Sequence, residues 1–466
     1  MLKNIISKGL GDYTMKEIRV LSPVGMLGYG FPAESFQKGL GKKPHVIAAD
    51  AGSTDAGPHK LGAGVGIVSK EATKKDLTLM LTAGCEHKIP VIIGSAGGSG
   101  AEVHLNWTSE IVKEIAKEKN LHFKMALIHA EVEKDYLKKK LAQGKIKPLG
   151  PVPELTFKDI EEATRIVAVM GTHSHIKALE MGAEVIIAGR SNDPAMFAAL
   201  PIKEGYDPGL ALHMGKILEC GAMASTPGTT SDCMMGYLRE DCFIVEPPNA
   251  MRKCIPSTVA AHTLYEKSSP LHIIGPEGVV DVTGCKFEQY SERAVKISGS
   301  KLRKSKIINV KLEGASKVAY RTICIAGLRD PIMIKRIDEC EKHVRDTALA
   351  YFNNISPEDY SLIFHIYGKN GVMGELEPQK EITSHELCLI LEVVAKEQEM
   401  ANTICAFARS TLMHYSYKGR IATAGNLAFP YAPSDIPTGA VYKFNIHHLV
   451  EVDNPDELFS IEIVEL

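Results

Sequence analysis

The feature that most constrains this chain is a theme repeated six times before residue 195: a continuous apolar or β-branched run that opens into a glycine-rich or polar loop. The runs are IRVLSPVG (Ile18 to Gly25), HVIAADAG from His45, VIIGSAGGSG (Val91 to Gly100), KMALIHAEV (Lys124 to Val132), RIVAVMGTHSH (Arg165 to His175) and EVIIAGRSNDP (Glu184 to Pro194). Helical patterns lie between several of them. EIVKEIAKE carries apolar residues at helical spacing after the third run, and IKALEMG ends on Gly182, which suits a helix stop. Apolar strands without polar alternation are buried on both faces, so the expectation for residues 15–270 is an α/β domain with a mostly parallel sheet covered by helices on both faces. Right-handed crossovers then bring every strand-to-helix loop to one edge.

After Pro270 the pattern changes. Residues 271–314 are shorter, more alternating and glycine-interrupted, which predicts a connecting β-rich segment; its basic run Lys301 to Lys306 reads as a solvated hairpin or a phosphate contact. Residues 315–466 run strand, helix, strand, strand, helix, strand, the order of an α+β ferredoxin-like domain. A chain of 466 residues is too long for one ordinary core, in keeping with this division. Lys and Arg total 54 against 56 Asp and Glu, a net charge of −2, so composition argues for neither nucleic acid nor an anionic membrane as partner. No apolar run reaches the length of a membrane span, and MLKNIISKGLGDYT lacks a sustained apolar core with a cleavage site. The 10 cysteines include no C-x-x-C pair, which fits reduced thiols in a cytoplasm.

If the loops share one edge, they gather a site. The second loop contributes Asp50, Ser53, Thr54, Asp55 and His59, and the third Ser95, Gly97, Gly98 and Ser99. The fourth adds His129 and Glu131, the fifth Thr172, His173 and His175, and the sixth Arg190, Ser191, Asn192 and Asp193. Each has a plainer reading. Asp50 either caps a turn or acts chemically. GSAGGSG either cradles an anion with its N–H groups or forms a tight turn; it is neither a P-loop nor a full dinucleotide fingerprint. In an extended segment His173 and His175 point to one side, as a base and its partner. Arg190 suits a carboxylate, while Asn192 and Asp193 also fit a simple turn. Between Glu219 and Pro256, Cys220, Cys233, Cys242 and Cys254 are spaced too irregularly for a closed zinc site and read as buried thiols, with a nucleophilic Cys233 left open.

The stretches DAGSTDAGP, GSAGGSG, GTHSH and AGRSNDP, in an α/β domain that precedes a small C-terminal one, resemble the acyclic terpene utilisation (AtuA) family. The resemblance runs from about Val20 into the C-terminal domain. It implies a cytoplasmic catabolic enzyme acting on branched carboxylic acids or their CoA esters, and it carries no catalytic roles for particular residues. Phe407 to Phe429 resembles the family's arginine-serine and glycine-asparagine loop, which makes Arg409 and Asn426 further substrate candidates; a longer insert separates them here.

The resulting expectation is a hydro-lyase that adds or removes water beside a carboxylate or thioester. Asp50, Asp55, His173 and His175 would divide the acid and base roles, and Arg190 with the glycine-loop amides would hold the carboxylate. A divalent metal held by Asp50, Asp55 and His59 would serve the same electrostatic purpose, with CoA present only as part of the substrate. The competing expectation is an acyl-CoA- or nucleotide-binding accessory subunit. A homo-oligomer is expected, with a small partner subunit as an alternative composition.

Overall fold

In the computed structural model, which describes residues 17–266, 268–421 and 423–466, the chain divides into two units. The first runs to Ser316 and takes in Phe444–Leu466; the second is Lys317–Lys443. The segment 271–314 therefore belongs to the first unit, and the end of the chain returns to it.

The first unit opens with β1 (Ile18–Ser22), β2 (Val46–Asp50), β3 (Val91–Gly94) and β4 (Lys124–Ile128), then the short β5 (Ile146–Pro148), β6 (Ala163–Ala168) and β7 (Val185–Ala188). A hairpin, β8 (Met234–Leu238) and β9 (Cys242–Glu246), follows. Five strands are parallel in the order β1-β2-β3-β7-β4. Their side chains alternate between two cores, as the period of two requires. Val46 and Ala48 face one core with Ala178, Phe197 and Ile217 from helices on that side, while Ile47 and Ala49 face the other with Phe36, Leu77 and Ile111.

The expected mostly parallel sheet is corrected to a mixed one of ten strands. β8 lies antiparallel to β1, and β9 extends it. After the hairpin β10 (His272–Gly275) and β11 (Gly278–Asp281), the strands β12 (Lys286–Gln289) and β13 (Val295–Ser298) continue the same edge, while β14 (Lys301–Lys304) pairs with β11. The other edge, β4, is covered by the last strand of the chain, Ile461–Glu465, also antiparallel. β6, read from the sequence as one of the parallel series, instead pairs antiparallel with Leu312–Ser316. Its end still reaches the loops: Met170 bridges Ser191 in parallel register.

In the second unit the chain enters along β15 (Ile308–Leu328), forms the helices Pro331–Lys335 and Ile337–Tyr351, then β16 (Tyr360–Tyr367), β17 (Leu387–Ala395), the helix Gln398–His414 and β18 (Asp435–Val452). Its strands stand in the order β16-β17-β15-β18. Cys324, Leu389 and Val393 from the strands and Val344, Ile404 and Leu412 from the helices share its core. The last part of β18 pairs with β5 in the first unit. Among the described residues no helix is long and apolar enough to cross a membrane.

Candidate functional site

All five residues of β2 are buried, so Asp50 arrives at the carboxyl end of the strand with its side chain only 7% exposed. The chain then turns at Gly52, where φ is +132° and an added Cβ would lie 2.7 Å from the Ile67 side chain and 3.0 Å from Gly98 Cα, leaving no room for a side chain. The Gly52 amide donates to Asp50 Oδ1 at 3.3 Å. Burial first, and then the negative charge of Asp193, hold the Asp50 carboxyl well above the usual carboxylate range, with Glu219 adding to the effect and Arg190 opposing it. The surroundings of Asp50 thus favour its protonated form over its charged one.

Arg190, from the loop after β7, anchors these surroundings. Its Nε donates to Glu313 at 2.9 Å, and its Nη1 donates to Ser95 Oγ at 3.1 Å, to the Ser191 carbonyl at 2.7 Å and to Asp193 at 3.4 Å. Lys311 pairs with the other oxygen of Glu313 at 2.6 Å. Burial raises the Glu313 carboxyl, but Arg190 and Lys311 overcome it and bring it down to about 2. The guanidinium is likewise kept charged against its burial by Glu313 and Asp193.

A second buried pair lies within electrostatic reach. Lys216 and Glu219, three residues apart at the end of the apolar helix Pro208–Leu218, form a close ion pair with both side chains sealed from solvent. Lys216 also feels Asp193, and Cys220 feels both Glu219 and Asp50. Burial pushes the Cys220 and Cys233 thiols up, so neither is an activated nucleophile.

The other expected site residues fall into three groups. Thr54 and Ser95 are buried, Ser95 against Arg190 with φ +49° and Oγ accepting from both Arg190 and the Ser191 amide. Ser53 caps the next turn, accepting from the Asp55 amide at 3.1 Å. The glycine loop of Gly97, Gly98 and Ser99 behaves as a tight turn: the amides of Ser95, Ala96, Gly98 and Gly100 already donate to backbone carbonyls. A side chain at Gly100 would lie 2.0 Å from the Arg190 amide nitrogen, so the glycine allows two loops to touch. Asn192 donates its amide to Met170 and lies beside Gly275 of the β10–β11 turn.

The second group departs from the site. Asp55 and His59 are exposed on the turn and the short helix after Asp50. Among the described residues no three His, Cys, Asp or Glu side chains gather to hold a metal ion, so Asp50, Asp55 and His59 form no such set. The expected extended segment GTHSH is instead the start of the helix Thr172–Glu180. On a helix, residues two apart face opposite ways. His173 therefore points outward, its side chain 59% exposed and its Nδ1 2.8 Å from Asp456, while His175 is fully buried with Nδ1 on the Gly171 carbonyl at 3.1 Å. Burial lowers His175 to about 4, so it is neutral near pH 7. His129 and Glu131 sit on a separate cleft of about 760 Å³ with Glu102 and Arg165.

The third group lies in the second unit. Arg409 forms a two-point ion pair with Asp435 at 2.8 and 3.0 Å, and Asn426 donates to the carbonyls of Leu412 and Tyr415 at the end of a helix. Both are committed to holding their own unit. Sequence reasoning missed Lys216, Glu219 and Glu313; the available signal was a lysine and a glutamate three apart on an otherwise apolar helix.

These features define a mixed α/β protein with a buried, charge-compensated cluster at the carboxyl edge of its parallel strands. Residues 70–432, most of the chain, match the family described as acyclic terpene utilisation family protein AtuA, and the chain belongs to that family. No curated protein and no solved structure matches it.

Proposed function

We propose that this protein is a catabolic enzyme acting on a small branched carboxylic acid or its CoA ester, and that it is a hydro-lyase with Asp50 as its general acid. The observation that carries the reading is the Asp50 carboxyl, buried at the carboxyl end of β2, where burial and the charge of Asp193 disfavour its ionised form. A carboxylic acid so placed can deliver its proton to a departing hydroxyl, and its conjugate base can retrieve a proton from water in the reverse direction. Asp193, on Arg190 at 3.4 Å and with its side chain 25% exposed, is the carboxylate placed to take the proton beside the carbonyl. Of the four residues expected to share these roles, Asp50 alone retains a place in the reading. The family's link to acyclic terpene utilisation supports a catabolic setting, and the strand order of the second unit supports a ferredoxin-like reading of that unit.

The test is incubation of the purified protein with a panel of branched hydroxy acids, unsaturated acids and CoA esters, with mass spectrometry reporting a gain or loss of water. Asp50→Asn is expected to lower turnover by about 100- to 10,000-fold, the usual contribution of a positioned acid. Full activity in that variant would sink the assignment.

A further inference from the structure

The expected carboxylate hold, Arg190 with the glycine-loop amides, is in large part committed to the fold. Arg190 spends its Nε and Nη1 on four partners, and four amides of the loop are tied to backbone carbonyls. The protein holds a second cation in the same neighbourhood. Lys216 has no exposed surface, and a buried ammonium is retained against its desolvation only with a partner, here Glu219. Its Nζ lies 5.5 Å from the centre of the ring of Tyr265, a residue 45% exposed, so a partly exposed aromatic side chain packs beside the buried ammonium. His262 packs on the same aromatic side chain. Its ring lies 5.4 Å from that of Tyr265 at 14°, it is 5% exposed, and its Nε2 has no hydrogen-bond partner among the described residues. A buried ring nitrogen left without a partner is uncommon enough to call for a ligand or a water. Burial and the Lys216 charge keep this histidine neutral, lowering it to about 4, so one of its ring nitrogens carries a hydrogen and one does not.

We propose that Lys216 and His262 form the hold for an anionic oxygen of the substrate, a carboxylate, with Tyr265 as the wall beside it. The inference rests on the hydro-lyase reading for the reaction it serves and on its own geometry for the binding. The Lys216 ammonium supplies the charge and His262 Nε2 the hydrogen bond, while Glu219 keeps the ammonium in place and lies within reach of both Cys220 and Asp50. A substrate carboxylate held there leaves Arg190 to position Asp193.

The experiment is calorimetric titration with crotonate and its uncharged counterpart crotonamide, using wild type, Asp50→Asn, Lys216→Met/Glu219→Gln and His262→Asn. The double variant removes both charges together, so no unpaired ion is left buried, and a thermal melt checks that each variant is folded. Wild type and Asp50→Asn are expected to prefer crotonate by about tenfold or more, as a charge-assisted contact would give. The preference is expected to vanish in the double variant and to shrink in His262→Asn. A crotonate preference that survives the double variant, or is absent in wild type, overturns the proposal. Binding is read without turnover, so an active Asp50→Asn would reject the acid role while leaving this test intact.

Discussion

Asp50 and Arg190 show how a pair of side chains sets its own chemistry. Asp50 is raised because burial and Asp193 disfavour its charge, so between its ordinary value of 3.8 and its folded value the native state holds a proton that the unfolded chain releases. The native state therefore loses stability as pH rises above about 4 through that window. Asp50→Asn removes this loss, and its melting temperature relative to wild type is expected to climb with pH in a series of thermal scans. Arg190 behaves oppositely. Replacing it by methionine strands Glu313, whose side chain is 3% exposed, beside a single remaining cation, and a cost of about 3–5 kcal/mol is expected in urea unfolding. Arg190→Lys should lose less, because charge remains although the planar fork is gone. At this scale Asp50, Ser95 and Arg190 were legible, since each follows an apolar run directly. His173 and His175 were misplaced because the same five letters, GTHSH, serve equally as an extended segment or as the first turn of a helix, and Gly171 permits either.

Among the elements, the strand that closes the large sheet carries the clearest consequence. Ile461–Glu465 pairs along the whole of β4, and Ile463, Val464 and Leu466 pack against the two cores as partly buried side chains. A chain ending at Ser460 would uncover the backbone edge of Lys124–Ile128 and lose roughly 1 kcal/mol for each of these half-buried residues. A lower melting temperature and a shift to larger species in size-exclusion chromatography are the expected readouts. The strands β1 to β4 and β7, the helices after β3 and before β7, and the strand, helix, strand, strand, helix, strand order of the second unit were readable from apolar periodicity. The partner of β6 was not. Its run, ATRIVA, is as apolar as its neighbours, and nothing local distinguishes a strand that joins the parallel series from one that pairs with Leu312–Ser316.

Over the whole molecule, the buried histidines shape the response to acid, and three of them are lowered furthest. His175 and His262 are lowered to about 4 and His213 to about 3, each by burial first, and His213 is further enclosed by hydrogen-bond contacts to Ser300 and Thr263. Below the ordinary value of 6.5 the unfolded chain takes up protons that the native state refuses. The stability they contribute is therefore present in full above pH 6.5 and is lost as pH falls toward 4, by about 1.4 kcal/mol per pH unit for each group. Urea midpoints measured from pH 7 down to pH 5 should fall accordingly, and His213→Asn should flatten the slope if it folds. By itself the amino-acid sequence determined the strands of the parallel series, that Asp50 would sit at the end of a buried strand, and the family, because runs, periods and motifs are local properties of the chain. Tertiary structure alone decided that the sheet is mixed, that the end of the chain closes it, and that Glu313, Lys216 and Glu219 join Asp50. Those outcomes depend on which backbone edges pair and which charges are buried together, and both are contacts between residues far apart in sequence.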